Sequence, residues 1–218
     1  MSTRPALTRD RVVAAAVRVA DRGGLTAVSM RSVGRELGVE AMSLYHHVPG
    51  KEGLLDALAD AAISEIELPA PGLAWREAMT ARAASARTVL ARHPWALGLL
   101  ESRREPGPAL LRHHDAVLGC LRRGGFPLDL AVHAFSAIDA YVYGFVLTEI
   151  NLPFDGDSDT AAGDFVAGLE PLGEQYPYLA EVLAEQFRDG RYSYAPEFGF
   201  GLELVLDGLT ERLARRAG

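Results

Sequence analysis

The chain has 218 residues, of which 49% are hydrophobic and 23% charged, which is typical of one or two globular domains and excludes a disordered or fibrous protein. Its formal net charge of −7 excludes a protein that is basic throughout. The charge is uneven, however, because residues 1–51 hold eight basic and four acidic side chains, a net +4, which leaves −11 for the remainder. A basic head on an acidic body favours local attraction to phosphate.

No feature of the sequence indicates export or membrane insertion. The single cysteine, Cys120, excludes an intrachain disulfide, and its apolar neighbours predict a core position rather than a reactive thiol. No segment reaches the roughly 18 consecutive apolar residues of a spanning helix, and Arg4 and Arg9 precede any apolar run. We therefore expect a cytoplasmic protein with no membrane partner.

The first two helices are marked by their ends. Thr8 is suited to cap a helix whose apolar residues repeat at helical spacing until Gly23 and Gly24. Ser29 is suited to cap a second, shorter helix that stops at Gly38. Only a three-residue turn then separates this helix from a third, which is the pattern of a helix-turn-helix whose second helix lies in the major groove of DNA.

Within the third helix, Leu44 and Val48 are four residues apart and are expected to face the bundle. The other residues of this segment are expected to be accessible and to read DNA: Ala41, Met42, Ser43, Tyr45, His46 and His47. The alternative interpretation is that the aromatic and histidine residues are ordinary surface residues of a small helical bundle. Their position directly after the tight turn favours the DNA interpretation.

The chemistry of these side chains divides them by role. Hydroxyl and ammonium groups contact phosphate oxygens well, which suits Ser29, Ser43, Tyr45 and Lys51 to the DNA backbone. Arg31 is the candidate for a base, since a guanidinium can bond guanine through two hydrogen bonds. Met42 and Ala41 suit the methyl groups of thymine.

Beyond residue 51 the chain still predicts helices, so the fold class is all-α with about nine or ten helices. A connecting helix runs to about Ile66 and ends at the proline-rich 68–72. Further helices are predicted at 75–92, 95–100, 107–123, 128–150, 178–187 and 196–215. The domains are therefore a head (1–51), a connecting helix (52–68) and a body (69–218). The acidic loop at 151–162 lacks the Gly and Glu of a calcium loop, so no metal is expected there.

Several motifs together resemble the TetR (tetracycline repressor) family of transcriptional regulators: residues 25–31, 37–40, 44–48 and 51–59 in the head, and 75–76, 125–128, 135–138, 144–147 and 198–203 in the body. The resemblance implies that Ser29 and Arg31 open the helix before the turn and that Lys51 starts the connecting helix. Ala41, Met42 and His46 stand where the tetracycline-binding members have Gln, Pro and Trp. A different operator is therefore expected.

The resemblance also implies a ligand cavity in the body. In the drug-binding members a His and a Thr hold a magnesium complex, but Glu101 and Arg104 replace them here, so we expect another ligand and no metal or cofactor. The residues expected to line the cavity are Trp95, Leu99, Phe135, Asp139 and Tyr143, with His133, Tyr141 and Phe145 as further candidates. An aromatic wall with few polar groups suits a flat, largely apolar small molecule. The alternative is that these residues only pack the core.

Two long helices carry patterns that suit self-association. The last helix carries an apolar ridge formed by Phe198, Leu202, Val205, Leu206, Leu209 and Leu213. The helix at 128–150 carries a stripe of small residues: Ala134, Ala137, Ala140 and Gly144. Periodicity alone leaves monomer core and dimer interface equally open. The family pairs its last two long helices in a dimer, which favours a homodimer.

Enzymatic chemistry is not expected. The His113, His114 and Asp115 side chains are adjacent on a helix and point about 100° apart, which does not suit one metal ion. No nucleophile elbow, His-Glu-x-x-His motif or phosphate-binding glycine loop is present in the sequence. Two hypotheses remain: a homodimeric repressor that a small molecule releases from a palindromic DNA operator, and an apolar-ligand or partner-binding helical protein whose DNA head is not operative.

Overall fold

A computed structural model describes residues 6–102, 106–152, 175–186 and 193–217. Within these ranges the chain forms helices and turns without a strand, which confirms the all-α prediction. The ten helices of the described ranges are α1 (Arg9–Ala27), α2 (Met30–Leu37), α3 (Ala41–Leu44), α4 (Gly50–Ser64), α5 (Trp75–Arg92), α6 (Trp95–Ser102), α7 (Pro108–Arg123), α8 (Leu128–Ile150), α9 (Pro177–Gln186) and α10 (Ala195–Ala217). Most of the acidic loop predicted at 151–162 lies outside the described residues.

Helix α1 begins where its cap predicts but does not end at the glycine pair. The hydroxyl of Thr8 accepts a hydrogen bond of 3.3 Å from the backbone N–H of Arg11. Gly23 and Gly24 form a kink, with φ of 65° at Gly24, and the helix continues for one more turn to Ala27. Glycine adopts this left-handed conformation without the steric cost of a Cβ atom.

The connection between α2 and α3 is fixed by local backbone chemistry. The Oγ of Ser29 accepts from the N–H of Ser32 at 3.0 Å, and the Oγ of Ser32 accepts from the N–H of Ser29 at 2.9 Å. Gly38 ends α2 with φ of 65°. A Cβ atom on Gly34 would lie only 2.9 Å from the carbonyl oxygen of Val39, so this position admits the turn because it has no side chain. The predicted helix-turn-helix connection is confirmed.

Helix α3 is shorter than the reading helix predicted at 41–47. Regular helix stops at Leu44, and the chain continues in turns in which the N–H of Val48 donates to the carbonyl of Leu44 at 3.0 Å. Pro49 has no N–H to donate and disfavours the helical conformation in the residue before it. Leu44 and Val48 are both buried, as their spacing predicts.

Helix α4 joins the head to the body, because it packs against α1 in the head and against α6 and α7 in the body. In the body, α5, α7 and α8 pack on one another, and α10 lies along α8. The contact between α8 and α10 is largely aromatic. The Phe145 ring lies 5.0 Å from that of Phe198, and the Tyr141 hydroxyl lies 2.9 Å from the Phe198 carbonyl oxygen.

Helix α8 is the one described helix whose length and composition would suffice to cross a membrane. It has 23 residues and a mean hydropathy of 1.5 in its most apolar segment, of which 44% is buried inside the protein. Its centre carries Asp139, which forms an ion pair with Arg82 of α5. The apolar character of α8 is thus accounted for in part by its packing in the body of the molecule.

The apolar ridge predicted on the last helix lies in the core of the chain itself. Four of its six members are buried: Phe198, Leu202, Leu206 and Leu209. Of the two interpretations that periodicity left open, monomer core applies to this ridge. The same helix turns a different apolar face outward, on which Phe200 is 65% and Leu204 59% exposed.

Candidate nucleic-acid interface and ligand site

All nine residues predicted to read DNA are exposed or partly exposed in the head. Met42 is 73% and Tyr45 50% exposed, although both are large apolar or aromatic side chains. Arg31 on α2 is also exposed, and α3 packs against α2 across the short turn after Gly38. His46 and Lys51 are also exposed, and Ser29, Ala41, Ser43 and His47 are partly exposed.

The Ser29 side chain stabilises the N-terminus of α2, a role separate from its predicted contact with phosphate. Its hydroxyl is engaged in the capping box and lies 3.0 Å from the Oγ of Ser32. The backbone N–H groups of the α2 N-terminus would attract a phosphate in any case, because the helix dipole places positive potential there. A phosphate contact by the Ser29 side chain itself stays a prediction.

An ion-pair cluster holds α2 against α1. Glu36 accepts from Arg18 at 2.9 Å and from Arg22 at 2.5 Å. Hydrogen bonds from Arg22 and Arg18 lower the pKa of the Glu36 carboxyl below its usual value. The carboxylate therefore stays charged through the neutral range and orients α2, which presents Arg31.

A polar joint connects the head to the body at a place that the sequence analysis did not identify. One carboxylate oxygen of Asp21, on α1, accepts from Trp95 Nε1 at 2.7 Å and lies 2.6 Å from His93 Nδ1. The rings of His93 and Trp95 are buried, with centroids 5.4 Å apart. Glu65, just after α4, forms an ion pair with Arg92. The start of α6 is thus tied to α1 and lies beside the end of α4.

Asp21→Ala should loosen this joint without altering the DNA-facing residues. Two donors on buried rings lose an acceptor whose own side chain is 33% exposed, so water replaces it in part and the cost is about 1 kcal/mol for each donor. We expect a lower free energy of unfolding in urea and faster amide hydrogen exchange in α6. Asp115→Ala, at an exposed position of α7, is the matched control and should change neither measurement. Unaltered exchange in α6 of the Asp21 variant would show that the joint does not hold this helix.

A second polar cluster lies inside the body, between α5, α7 and α8. Arg82 is 1% exposed and forms an ion pair through Nη1 with Asp139. Its Nε donates to Nε2 of His113 at 3.2 Å, and the hydroxyl of Tyr143 lies 3.5 Å from Asp139. Among the described residues, Arg82 Nη2 is buried without a hydrogen-bond partner.

His113 of this cluster and its chain neighbour His114 are both neutral at neutral pH. Burial, and then the charge of Arg82, lowers the pKa of His113 to about 3. Burial also lowers the pKa of His114, against a smaller opposing effect of Asp139. A neutral His113 that accepts at Nε2 carries its proton on Nδ1. The only charges shown in the cluster are therefore those of Arg82 and Asp139, which balance.

The predicted ligand residues lie in two different places, the buried cluster and the head–body joint. Phe135, Asp139 and Tyr143 lie with the buried cluster on α8, and the Phe135 ring is 4.7 Å from that of His114. Trp95 is tied to the head–body joint, and Leu99 is buried on the same helix.

The further candidates on α8 have other surroundings. His133 lines an outer groove with Leu130 and the arginines of the α10 C-terminus. Tyr141 and Phe145 pack on α10, as the core interpretation predicts. Glu101, whose side chain is not described, and Arg104 lie outside the residues whose contacts are known.

Two other sequence predictions concern reactive groups. Cys120 is buried, as predicted, and burial raises the pKa of its thiol, which disfavours the reactive thiolate. His113 is buried whereas Asp115 is exposed, so the two point apart. No group of three or more metal-ligating side chains occurs within the described ranges.

Two family models match the chain and together span most of it. The model described as "Bacterial regulatory proteins, tetR family" matches residues 12–58. The model described as "Tetracyclin repressor-like, C-terminal domain" matches residues 68–213. The first match contains the helix-turn-helix, and the second contains the buried cluster of α5, α7 and α8.

Curated relatives are similar over nearly the whole chain. The chain is 37% identical to the HTH-type transcriptional repressor DrrR1 of Streptomyces coeruleorubidus, over 99% of this chain and 82% of the relative. It is 28% identical to the class A tetracycline repressor protein from transposon 1721 of Escherichia coli, over 92% and 89%. The names of these relatives describe regulators and not enzymes.

Solved structures show the same fold. The structure of ActR from Streptomyces coelicolor in complex with actinorhodin matches with a TM-score of 0.77 and 26% identity, over 96% of this chain and 97% of that one. ActR in complex with (S)-DNPA matches with a TM-score of 0.75 and 27% identity, over 94% and 98%. Sequence and structure agree: the chain belongs to the TetR family of bacterial transcriptional regulators.

Proposed function

We propose that this regulator is a repressor that binds a palindromic operator as a homodimer and releases it when a small molecule binds in the body. The observation that carries the DNA-reading part is that Met42, Tyr45 and Arg31 are all exposed within the helix-turn-helix. Large side chains exposed in such a place suit thymine methyl groups and the sugar–phosphate backbone. The repressor names of the relatives support the sign of the regulation.

The exposed apolar faces of α8 and α10 support the homodimer. Leu128 is 68%, Val132 48% and Leu147 54% exposed on α8, and α8 packs along α10, on which Phe200 and Leu204 are exposed. A second copy would cover both faces through one two-fold axis, since each copy presents the same patch. Such symmetry would place two reading helices about 34–36 Å apart, one turn of DNA.

The effector site that we propose is the α8 side of the body, with Phe135, Asp139 and Tyr143 as its residues. Trp95 and Leu99 would respond to the ligand through α6. The ActR complexes with actinorhodin and (S)-DNPA support a small-molecule effector. Release requires a ligand that binds better to the form that does not fit DNA, because equal affinity for both forms shifts nothing. The contact of Asp21 with α6 would transmit the effect of ligand binding from the body to the head.

A regulator of this kind acts where the chromosome lies, so we propose a cytoplasmic location. The sequence substitutions in the drug-binding segment support an effector other than tetracycline and a site that needs no metal.

The test is binding to a fluorescent duplex from the promoter region of the chain's own gene, measured by anisotropy at several salt concentrations. Arg31→Ala and Tyr45→Ala should each weaken specific binding by about tenfold or more, since a base or phosphate contact contributes about 1–3 kcal/mol. Arg112→Ala on α7 and Tyr178→Ala on α9 remove the same residue types from exposed positions of the body and should have no effect.

The outcomes separate the two hypotheses. Affinity that falls steeply with salt and depends on the promoter sequence supports a reading head. Unchanged DNA affinity in both head variants would contradict the proposal. It would favour a helical ligand- or partner-binding protein whose DNA head is not operative.

A further inference from the structure

A carboxylate of the connecting helix caps the start of a helix in the body. Helix α7 follows Gly107, which has no side chain to bond the unpaired N–H groups of a helix N-terminus. Asp60, on α4, provides the acceptor instead, because its Oδ1 accepts from the backbone N–H of Ala109 at 2.7 Å. The helix dipole also favours a carboxylate at this end of a helix. Asp60 thus acts on α7 as an N-cap residue normally acts within its own helix.

Gly107 leaves the space that the Asp60 carboxylate occupies. A Cβ atom on Gly107 would overlap Asp60 Oδ1 and would lie only 2.8 Å from its Cγ. Any side chain at this position would therefore push the carboxylate away from α7. Pro108 follows as the first residue of α7, where the lack of an N–H costs nothing. The contact depends on the absence of a side chain at Gly107 as well as on the carboxylate of Asp60.

The packing beside this contact is incomplete. A cleft of about 300 Å³, part of it open to solvent, lies between α4, α6 and α7, and Ile63, Leu100 and Leu110 are among the residues that line it. Side chains that border an open cleft lack neighbours on one side, so close packing restrains α4 less here than in a filled core. The directional hydrogen bond of Asp60 then contributes a large part of the restraint on the angle of α4.

Asp60 lies far enough from the head for the angle of α4 to matter. It is ten residues after Gly50, the first residue of α4, which is about 15 Å along the helix axis. A rotation of α4 by about 10° about Asp60 would move the head end of the helix by about 2.6 Å. In a two-fold homodimer both heads would move, and the displacement is comparable with the rise of one base pair, about 3.4 Å.

We propose that Asp60 is a positioning residue: its hydrogen bond to α7 fixes the angle of α4 and thereby the half-site spacing that the two heads accept on DNA. This inference rests on the proposed function, because it concerns how a homodimeric regulator selects its operator. Asp60 contacts neither base nor phosphate in this role. It acts through the direction in which α4 leaves the body.

The first test measures the position of the head without DNA. Nitroxide labels at Glu40→Cys in the head and Asp115→Cys in the body, both exposed positions, report the head-to-body distance by double electron–electron resonance. The full-length protein carries Cys120→Ala and is mixed with excess unlabelled chain, so that only distances within one chain are seen. We expect Asp60→Ala and Gly107→Ala to broaden or shift the distance distribution, because the first removes the acceptor and the second displaces it.

Two further variants show whether the hydrogen bond is responsible. Asp60→Asn keeps an oxygen that accepts from the N–H of Ala109 and should give the distance distribution of the unaltered chain. Glu67→Ala removes an exposed carboxylate just after α4 and is the matched control, which should also leave the distribution unchanged. Helical circular dichroism should be retained in all four variants, which separates a change of angle from unfolding.

The second test measures the spacing that the heads accept. Duplexes carry the palindrome of the chain's own promoter region with its centre unaltered, lengthened by one base pair or shortened by one, and fluorescence anisotropy gives their affinities. We expect Asp60→Ala and Gly107→Ala to lower the preference for the best spacing over its neighbours by about fivefold, the factor typical of one lost N-cap. Affinity for a single half-site should not change, since the reading residues are not altered.

Three results would overturn the inference. The first is an unchanged distance distribution in both Asp60→Ala and Gly107→Ala, which would mean that packing alone sets the angle of α4. The second is an Asp60→Asn variant that behaves like Asp60→Ala, and the third is an unchanged spacing preference in both variants that remove the contact. If the unaltered protein binds none of the duplexes, the proposed function fails, whereas the label distances still report whether Asp60 fixes α4. The two failures are therefore distinguishable.

Discussion

Replacing Phe200 and Leu204 together by Glu should convert the proposed homodimer into monomers and abolish tight operator binding. The two residues lie four apart on α10, so they share one face, and both are more than half exposed in the single chain. If a second copy covers this face, the variant dimer buries four carboxylates against apolar surface. Each unpaired ion costs several kcal/mol, so the dimer dissociation constant should rise at least about 100-fold.

The variant should still fold as a monomer, because α10 packs on the body through its opposite face. Phe198, Leu202 and Leu206 are buried there and are not altered. Helical circular dichroism should therefore be retained at protomer concentrations where sedimentation velocity shows the loss of dimer. Leu111→Glu, at a leucine of α7 that is 54% exposed, adds the same charge elsewhere and should leave the mass unchanged.

Operator binding should follow the loss of dimer, because two linked heads gain about 100-fold or more over one through effective concentration. The affinity of the double variant for a half-site duplex should remain close to that of the unaltered protein. A variant that stays dimeric at micromolar concentration would show that the outward face of α10 is not the interface, whatever the DNA titration gives.

The head could be predicted in detail because its determinants are local. The caps at Thr8 and Ser29, the stop at Gly38 and the buried pair Leu44 and Val48 each depend on residues within a few positions along the chain. The predicted length of α3 was wrong, because apolar spacing continues from Leu44 to Val48 whereas regular helix stops at Leu44 and the chain continues in turns before Pro49.

The helices of the body could be predicted from the sequence, but the contacts that these helices make could not. Periodicity identifies an apolar stripe on the last helix, yet it cannot tell whether the chain's own core or a second copy covers it. The structure places Leu202 in the core and leaves Leu204, two residues later, outside.

The polar contacts of the body depend on still more distant residues. Arg82 meets Asp139 from 57 positions away, and Asp21 meets Trp95 from 74. Such pairs carry no local signal, so the sequence predicts Asp139 as a cavity residue without its partner Arg82 and does not indicate Asp21.

The ion pair of Arg82 with Asp139 should show the largest stability effect in the chain. Arg82→Met leaves a carboxylate buried without its partner, and Asp139→Leu leaves a guanidinium. Breaking a buried pair from one side typically costs about 3–5 kcal/mol, so each variant should unfold at a clearly lower urea concentration at fixed protomer concentration. The double variant, which replaces both charges by apolar groups, should recover most of the loss.

The stability of the double variant tells whether the fold requires the ion pair of Arg82 with Asp139. Taking two charges out of water roughly cancels their attraction, so an apolar replacement of both is often neutral or stabilising. If the double variant is as stable as the unaltered protein, the fold does not require the pair. If instead the two single losses add up in the double variant, the charges stabilise the fold independently of each other.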